Sequence, residues 1–165
     1  MAATNGLRRA AVAGLVGIAT GCVSVDPGPD FVVPQTVFDA NYFYCEVEPN
    51  FIFANSCGSG DGSKGDKPNG CHFNASAVSG MALLDHPAVP CNGDIVSDPS
   101  QTGTGSPAES NLEAVSLEMN KDYTTAPLYT RPSDLSGCPP TAHPRCIFQH
   151  DDPTVNQILS TWASK

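Results

Sequence analysis

The chain has 165 residues, of which 40% are hydrophobic and only 7% aromatic, and it contains 15 glycines, 15 prolines and seven cysteines. This Gly and Pro content argues against a tightly packed α/β enzyme and indicates a small core that needs cross-links or a cofactor. Eight basic against 17 acidic side chains give a net charge of −9, which excludes binding to a phosphate backbone, so we expect no nucleic-acid partner.

Residues 1–21 have the pattern of a signal peptide. Arg8 and Arg9 form a positive end, and the uncharged stretch Ala10–Thr20 that follows is too short to span a bilayer. The stretch runs into Ala19-Thr20-Gly21-Cys22, which resembles the lipobox of bacterial lipoproteins. The resemblance implies that Cys22 is acylated and becomes the new N-terminus, which accounts for the odd number of cysteines.

The expected location follows from the same resemblance. It places the protein in the bacterial cell envelope, lipid-anchored and facing the periplasm, and Val23 points to the outer membrane because the Asp that retains many lipoproteins in the inner membrane is missing. Removal of residues 1–21 leaves six basic and 17 acidic side chains, a net charge of −11. We predict a flexible, Pro/Gly-rich tether over residues 22–40 and one folded domain over residues 41–165.

The domain contains three segments with helical character. The first is Val47–Ser56, with Pro49 expected in its first turn. The second is Asn111–Asn120, which Ser110 would cap with Glu113 three residues later, the spacing of a capping box. The sequence therefore predicts a mostly α domain.

The third helix has the clearest pattern. Asp151-Asp152-Pro153 supplies a cap and a first-turn proline, and apolar side chains follow at helical spacing: Val155, Ile158, Leu159 and Trp162. This predicts an amphipathic C-terminal helix whose Trp packs inward.

These helices are separated by long irregular stretches at residues 58–70, 85–109 and 131–150. Loops of this length in a small domain need cross-links that fix their position. Export favours oxidised cysteines. Two disulfides are natural expectations, Cys45 with Cys91 and Cys138 with Cys146, although six cysteines allow fifteen pairings and the sequence does not choose among them. His86 and His150 stand beside turn residues or acids and are expected at the surface.

The Cys57, Cys71 and His72 side chains carry the clearest chemical signal. A c-type haem site has the form C-x-x-C-H, in which two thioethers hold the porphyrin and the histidine binds the iron. Here thirteen residues, five of them glycines, stand between the two cysteines, so the insert could loop out while the cysteines approach each other.

Residues 45–165 resemble a single-domain c-type cytochrome. The resemblance rests on four short pieces in the family's order: the "x-P-x-F/I-x-x-x-C" segment that leads into Cys57, the segment Ala126–Pro132, the His143-Pro144 turn and the terminal Ile158–Ala163 helix. It implies a small cytochrome c-like helical domain with haem c on Cys57 and Cys71 and with His72 as the proximal iron ligand. It also implies a membrane-anchored carrier of single electrons with a redox protein partner, rather than an enzyme.

Two questions stay open from the sequence. The distal ligand is His143, Met119, Met81 or none, and the choice affects the reduction potential because Met/His ligation raises it. Without haem, Cys57 and Cys71 would form a third disulfide, and the protein would be a stapled binding or structural lipoprotein. A zinc site on Cys57, Cys71, His72 and one more ligand is a weaker alternative, since oxidising export disfavours free thiolates.

Overall fold

A computed structural model describes residues 37–64, 71–76, 80–136 and 143–165. The predicted signal peptide, most of the tether, Cys22 and Cys138 lie outside them. In the described part the regular structure is mostly helical, with one two-stranded antiparallel sheet, which confirms the mostly α prediction. No helix among these residues is both long enough and apolar enough to cross a membrane.

The elements follow one another in short pieces. In chain order they are α1 (Ala40–Tyr42), a π-helix (Phe43–Phe53), a 3₁₀ turn (Gly62–Lys64), β1 (Cys91–Asn92), β2 (Ile95–Val96), a second 3₁₀ turn (Pro99–Gln101), α2 (Pro107–Ser116), a third 3₁₀ turn (Tyr123–Thr125), α3 (Pro127–Thr130), a fourth 3₁₀ turn (Asp134–Ser136) and α4 (Pro153–Ser164). In the sheet, Cys91 pairs with Val96 and Asn92 with Ile95.

The first helix begins earlier than predicted and is wider. Asp39 caps it by accepting a hydrogen bond from the Tyr42 amide at 2.7 Å, and after α1 the chain continues as the π-helix to Phe53. Pro49 lies inside this helix, so the prediction that it occupies the first turn is wrong. In an α-helix the proline ring would press on the carbonyl four residues earlier, and the wider π turn relieves that contact.

The folded domain also begins earlier than residue 41. Phe38 is buried against the Trp162 ring, with 4.9 Å between ring centroids, and the indole Nε1 of Trp162 donates to the Asp39 carbonyl at 3.1 Å. Residues 38–40 therefore belong to the domain and not to the predicted tether.

The second helix is shifted by about one turn from its prediction. Ser106, not Ser110, is the N-cap, and its Oγ accepts from the Glu109 amide at 3.1 Å. The capping-box spacing is therefore met by Ser106 and Glu109, one turn before Ser110 and Glu113. Pro107 fixes this start because proline is suited to the first helical position and not to a helix interior.

The third helix is confirmed. Asp152 caps α4 by accepting from the Thr154 and Val155 amides, and the predicted apolar stripe is buried. Trp162 and Leu159 are fully buried, and Trp162 packs on Phe43 of the π-helix with 5.4 Å between ring centroids. The core thus lies mainly between α4 and the π-helix.

The structure contains the predicted Cys45–Cys91 disulfide, which ties the π-helix to β1. Cys146 is also disulfide-bonded, but Cys138, its predicted partner, lies outside the described residues.

Candidate functional site

A tight turn at the end of the π-helix places Cys57. The Cys57 amide donates to the Ile52 carbonyl at 3.0 Å and the Ser56 amide to the Phe53 carbonyl at 2.9 Å, while Ser56 has a φ of 56°. This is the hydrogen-bond pattern of a Schellman motif, with Ser56 in the left-handed position that glycine usually takes. The motif turns the chain sharply, so Cys57 leaves the helix in a fixed direction.

The segment after the insert returns to this turn. The His72 amide donates to the Cys57 carbonyl and the Phe73 amide to the Gly58 carbonyl, both at 3.0 Å. The Phe73 ring lies over Gly58 so closely that a Cβ added there would be 2.3 Å from its Cζ. These contacts place Cys57 beside His72.

No disulfide joins Cys57 to Cys71. Burial, and after it the neighbouring Cys71, raises the pKa of the Cys57 thiol to about 12, although the Arg145 guanidinium acts in the opposite direction. Cys57 is therefore protonated at neutral pH, which makes it a poor nucleophile and a poor free-metal ligand.

His72 is partly buried and held by the backbone. Its Nδ1 lies 2.6 Å from the Met81 carbonyl oxygen, which can only accept, so Nδ1 carries the proton and Nε2 has a free lone pair. Burial lowers the pKa of His72, and the neighbouring His143 lowers it too, whereas the Met81 hydrogen bond and Glu118 oppose them. The neutral ring is the form that binds metals.

His143 is the side chain that the structure places next to His72. The two rings are 6.3 Å apart between centroids, and their planes differ by 23°. The Nδ1 of His143 lies 2.6 Å from the Arg145 carbonyl oxygen, so Nδ1 is the donor in this contact. Both imidazoles therefore show the arrangement typical of metal ligands, with the second nitrogen bound to a carbonyl.

The two methionines considered as distal ligands are both in the core. Met119 is 7% and Met81 8% exposed, and Met81 contributes its carbonyl oxygen, not its sulfur, to His72. Among the described residues, no group of three or more His, Cys, Asp and Glu side chains converges on a position for a bare metal ion.

One cluster was not predicted. His86, expected at the surface, has a side chain that is only 8% exposed, and its Nε2 lies 3.0 Å from Oε1 of the buried Glu48. His150 is exposed as expected and pairs with Asp134 at 2.9 Å. The sequence offered one signal for this cluster. Glu48 lies in an apolar helical segment, and the residues four positions before and after it are both apolar.

Comparisons with protein-family models, with characterised proteins and with solved structures give no match for this chain.

Proposed function

We propose that this domain is a membrane-anchored c-type cytochrome that carries single electrons. Haem c would be attached to Cys57 and Cys71, and His72 and His143 would bind its iron. The observation that carries the proposal is the pair of near-parallel imidazoles, each fixed through Nδ1 to a backbone carbonyl.

The spacing of the two rings fits iron bound between them. Metal–imidazole bonds are about 2.0–2.1 Å long, so two imidazoles in line with one metal ion have centroids about 6 Å apart once the ring radii are added. The observed separation is 6.3 Å. Aromatic rings in ordinary contact have centroids about 4.5–7 Å apart, so this spacing is compatible with iron between the rings without requiring it.

The residues around His72 and His143 hold the two rings in a form that can bind iron. The low pKa of His72, caused mainly by burial, keeps the ring neutral, and the Met81 carbonyl sets its tautomer. The Arg145 carbonyl does the same for His143. No disulfide joins Cys57 to Cys71, and a thioether forms by addition of a cysteine S–H group across a haem vinyl group, with no oxidant needed.

When bound, haem would supply a one-electron Fe(III)/Fe(II) couple, and bis-imidazole ligation sets a lower potential than Met/His ligation. The protein's part is to hold the two nitrogens and to limit solvent access. Its net charge of −11 after processing favours a redox partner with a basic docking face. The predicted lipid on Cys22 would hold the domain at the membrane.

A second function is favoured by the backbone pairing of Cys57 with His72. This pairing places Cys57 beside His72, the residue that follows Cys71, so a thiol oxidant of the cell envelope could join the two cysteines. The product would be a haem-free, disulfide-stapled lipoprotein acting as a binding or structural protein on the same scaffold.

One experiment separates the two functions. The full chain is produced in a bacterium with a haem-maturation system, purified from the membrane, and examined by absorption spectroscopy and by non-reducing peptide mapping. The proposal predicts a Soret band that persists after acid–organic extraction and thioether masses on Cys57 and Cys71. The Cys57→Ser, Cys71→Ser double variant is the matched control and should lose the covalent haem. A Cys57–Cys71 disulfide with no Soret band would establish the second function instead.

A further inference from the structure

Three polar side chains from distant parts of the chain meet in the core, and we call them the Glu48 cluster: Glu48, His86 and Asn111. Glu48 and Asn111 are each 1% exposed. Oε1 of Glu48 accepts from Asn111 Nδ2 at 2.8 Å and lies 3.0 Å from His86 Nε2. A buried carboxylate is costly unless it is paired and hydrogen-bonded, and this one has both partners.

His86 is bonded on both sides of its ring. Nδ1 lies 2.7 Å from the Pro87 carbonyl oxygen, and Nε2 faces the Glu48 carboxylate. The cluster thus brings together a carboxyl group, an imidazole and an amide from the π-helix, the segment before β1 and α2.

Asn111 ties the cluster to that last segment. Its Oδ1 accepts from the Leu84 amide at 2.7 Å, and its Nδ2 also donates to the Leu84 carbonyl at 3.0 Å. One side chain thus binds both polar groups of the Leu84 backbone. The Glu48 carboxyl group therefore holds this segment in two places: at Leu84 through Asn111, and at His86 directly.

The other end of the segment holds His72. The Leu83 amide donates to the His72 carbonyl at 2.8 Å, and the Met81 carbonyl accepts from the His72 ring. Residues 81–86 therefore form a short strap that contacts His72 twice at one end and the Glu48 cluster at the other. The strap contains no regular secondary structure of its own, so these contacts define its position.

We propose that Glu48 is a positioning residue for His72, acting through Asn111, His86 and the strap to keep the Met81 carbonyl on His72 Nδ1. The inference rests on the proposed function in taking His72 as an iron ligand. Outer hydrogen bonds of this kind fix a ligating histidine's tautomer and raise its basicity, and their partners are often a carboxylate or a carbonyl. Here the carbonyl makes the contact and the carboxylate holds the carbonyl in place.

The test compares Glu48→Leu with Glu48→Gln in the haem-loaded full chain. Leu removes every acceptor, whereas Gln keeps an oxygen for Asn111 and is expected to restore most of the behaviour. Glu46→Gln, on the same helix but outside the cluster, is the control. With the Met81 hydrogen bond weakened, His72 becomes a less basic ligand, so the reduction potential of Glu48→Leu should shift to more positive values. Glu48→Gln and Glu46→Gln should remain close to wild type.

A second readout does not need haem. In the chain produced without haem, ¹⁵N NMR of the His72 ring should show a single Nδ1–H tautomer in wild type and a mixture in Glu48→Leu, with faster exchange of the Leu84 amide. Should Glu48→Leu fail to fold, His86→Phe replaces it, because Phe keeps the ring contact with Phe53 and removes the bond to Glu48.

The outcomes are distinct for the two proposals. If the Leu84 amide exchanges faster while the His72 tautomer and the potential are unchanged, Glu48 is purely structural and the inference is overturned. If wild type carries no haem, the proposed function fails, and the tautomer measurement alone still decides the role of Glu48.

Discussion

His72 and His143 face each other with 6.3 Å between ring centroids and 23° between ring planes, although they are far apart in the chain. Each ring has its Nδ1 fixed to a carbonyl, which leaves Nε2 as the nitrogen that could bind a metal ion. This relationship selects His143 over the two methionines as the second axial ligand in our proposal.

His143→Ala is expected to keep covalent haem and to change its ligation. Because the thioethers do not depend on the distal side, the Soret band should persist, but low-spin bis-imidazole features in EPR should give way to high-spin iron that binds added imidazole. Met119→Leu, a change of similar volume in the core, serves as the control and should leave the spectrum unchanged. A high-spin signal in Met119→Leu and none in His143→Ala would make Met119 the ligand.

Ser56→Gly is expected to stabilise the domain by about 0.5–1 kcal/mol. Ser56 has a φ of 56°, a conformation that costs a residue with a Cβ about 1–2 kcal/mol, and the gain is reduced by the larger backbone entropy of glycine in the unfolded chain. Urea unfolding followed by circular dichroism measures the change. Ser56→Val should destabilise the domain, since a β-branched side chain tolerates this conformation worst. Equal stabilities for the Gly and Val variants would rule out this account of the turn.

Gly58→Ala is expected to destabilise the domain by about 1–3 kcal/mol, the cost of overpacking. Its Cβ would meet the Phe73 ring at 2.3 Å, and this ring is held against Phe53 with 6.1 Å between centroids. Thermal or urea unfolding gives the loss. Gly62→Ala is the matched control, because nothing lies within 4 Å of a Cβ there, and it should be neutral within about 0.5 kcal/mol.

The same clash can be relieved from the other side. In the Gly58→Ala, Phe73→Leu double variant the smaller side chain leaves room for the new methyl group, so the combined loss should be less than the sum of the two single losses. Additive losses would place the cost of Gly58→Ala somewhere other than the Phe73 ring.

The parts of the fold that the sequence predicted are those with local causes. The α4 cap and stripe involve residues within one helix, and both are present as predicted. The first helix has buried side chains on all sides, including Glu48, so no amphipathic period marks its start at Ala40. The start of α2 was ambiguous because two Ser…Glu pairs share one spacing, and Pro107 was the deciding residue.

The candidate site was predictable only in part. Cys57, Cys71 and His72 stand out because they are close to a known spacing, and His143 entered through a family resemblance. The Glu48 cluster was missed because its members are separated by 38 and 63 residues, and a Glu or His alone in a sequence usually indicates an exposed side chain. Only the tertiary structure shows that Glu48 is buried and paired.

Removal of the Cys45–Cys91 disulfide is expected to cost about 4 kcal/mol, which is the chain-entropy value for a loop closed by residues 46 apart. The Cys45→Ala, Cys91→Ala double variant avoids leaving a single reactive thiol. Its free energy of unfolding should fall by this amount in a urea titration. A loss below about 1 kcal/mol would mean that contacts between the π-helix and the β1–β2 hairpin, rather than the disulfide, hold the loop.

The pH dependence of stability should reveal the buried neutral state of His72 in the chain produced without haem. Its pKa in the folded state is lowered, chiefly by burial, from the ordinary value of 6.5. Between these two pKa values the unfolded chain binds more protons than the folded one, so the free energy of unfolding decreases as the pH falls below about 6.5. The contribution is fully present above this pH and is lost toward the folded-state pKa.

His72→Phe removes this titration and supplies the reference. The free energy of unfolding of wild type, relative to that of the variant, should be highest at pH 8. It should decrease steadily toward pH 5, by about 1.4 kcal/mol for each unit by which the His72 pKa is lowered. Glu48 changes the stability in the opposite direction, because burial raises the pKa of its carboxyl from 4.5 and the folded state takes up a proton before the unfolded chain does. This effect is common to wild type and variant and cancels in the difference between them. A difference that stays constant from pH 8 to pH 5 would mean that His72 is solvated and free to ionise in the folded protein.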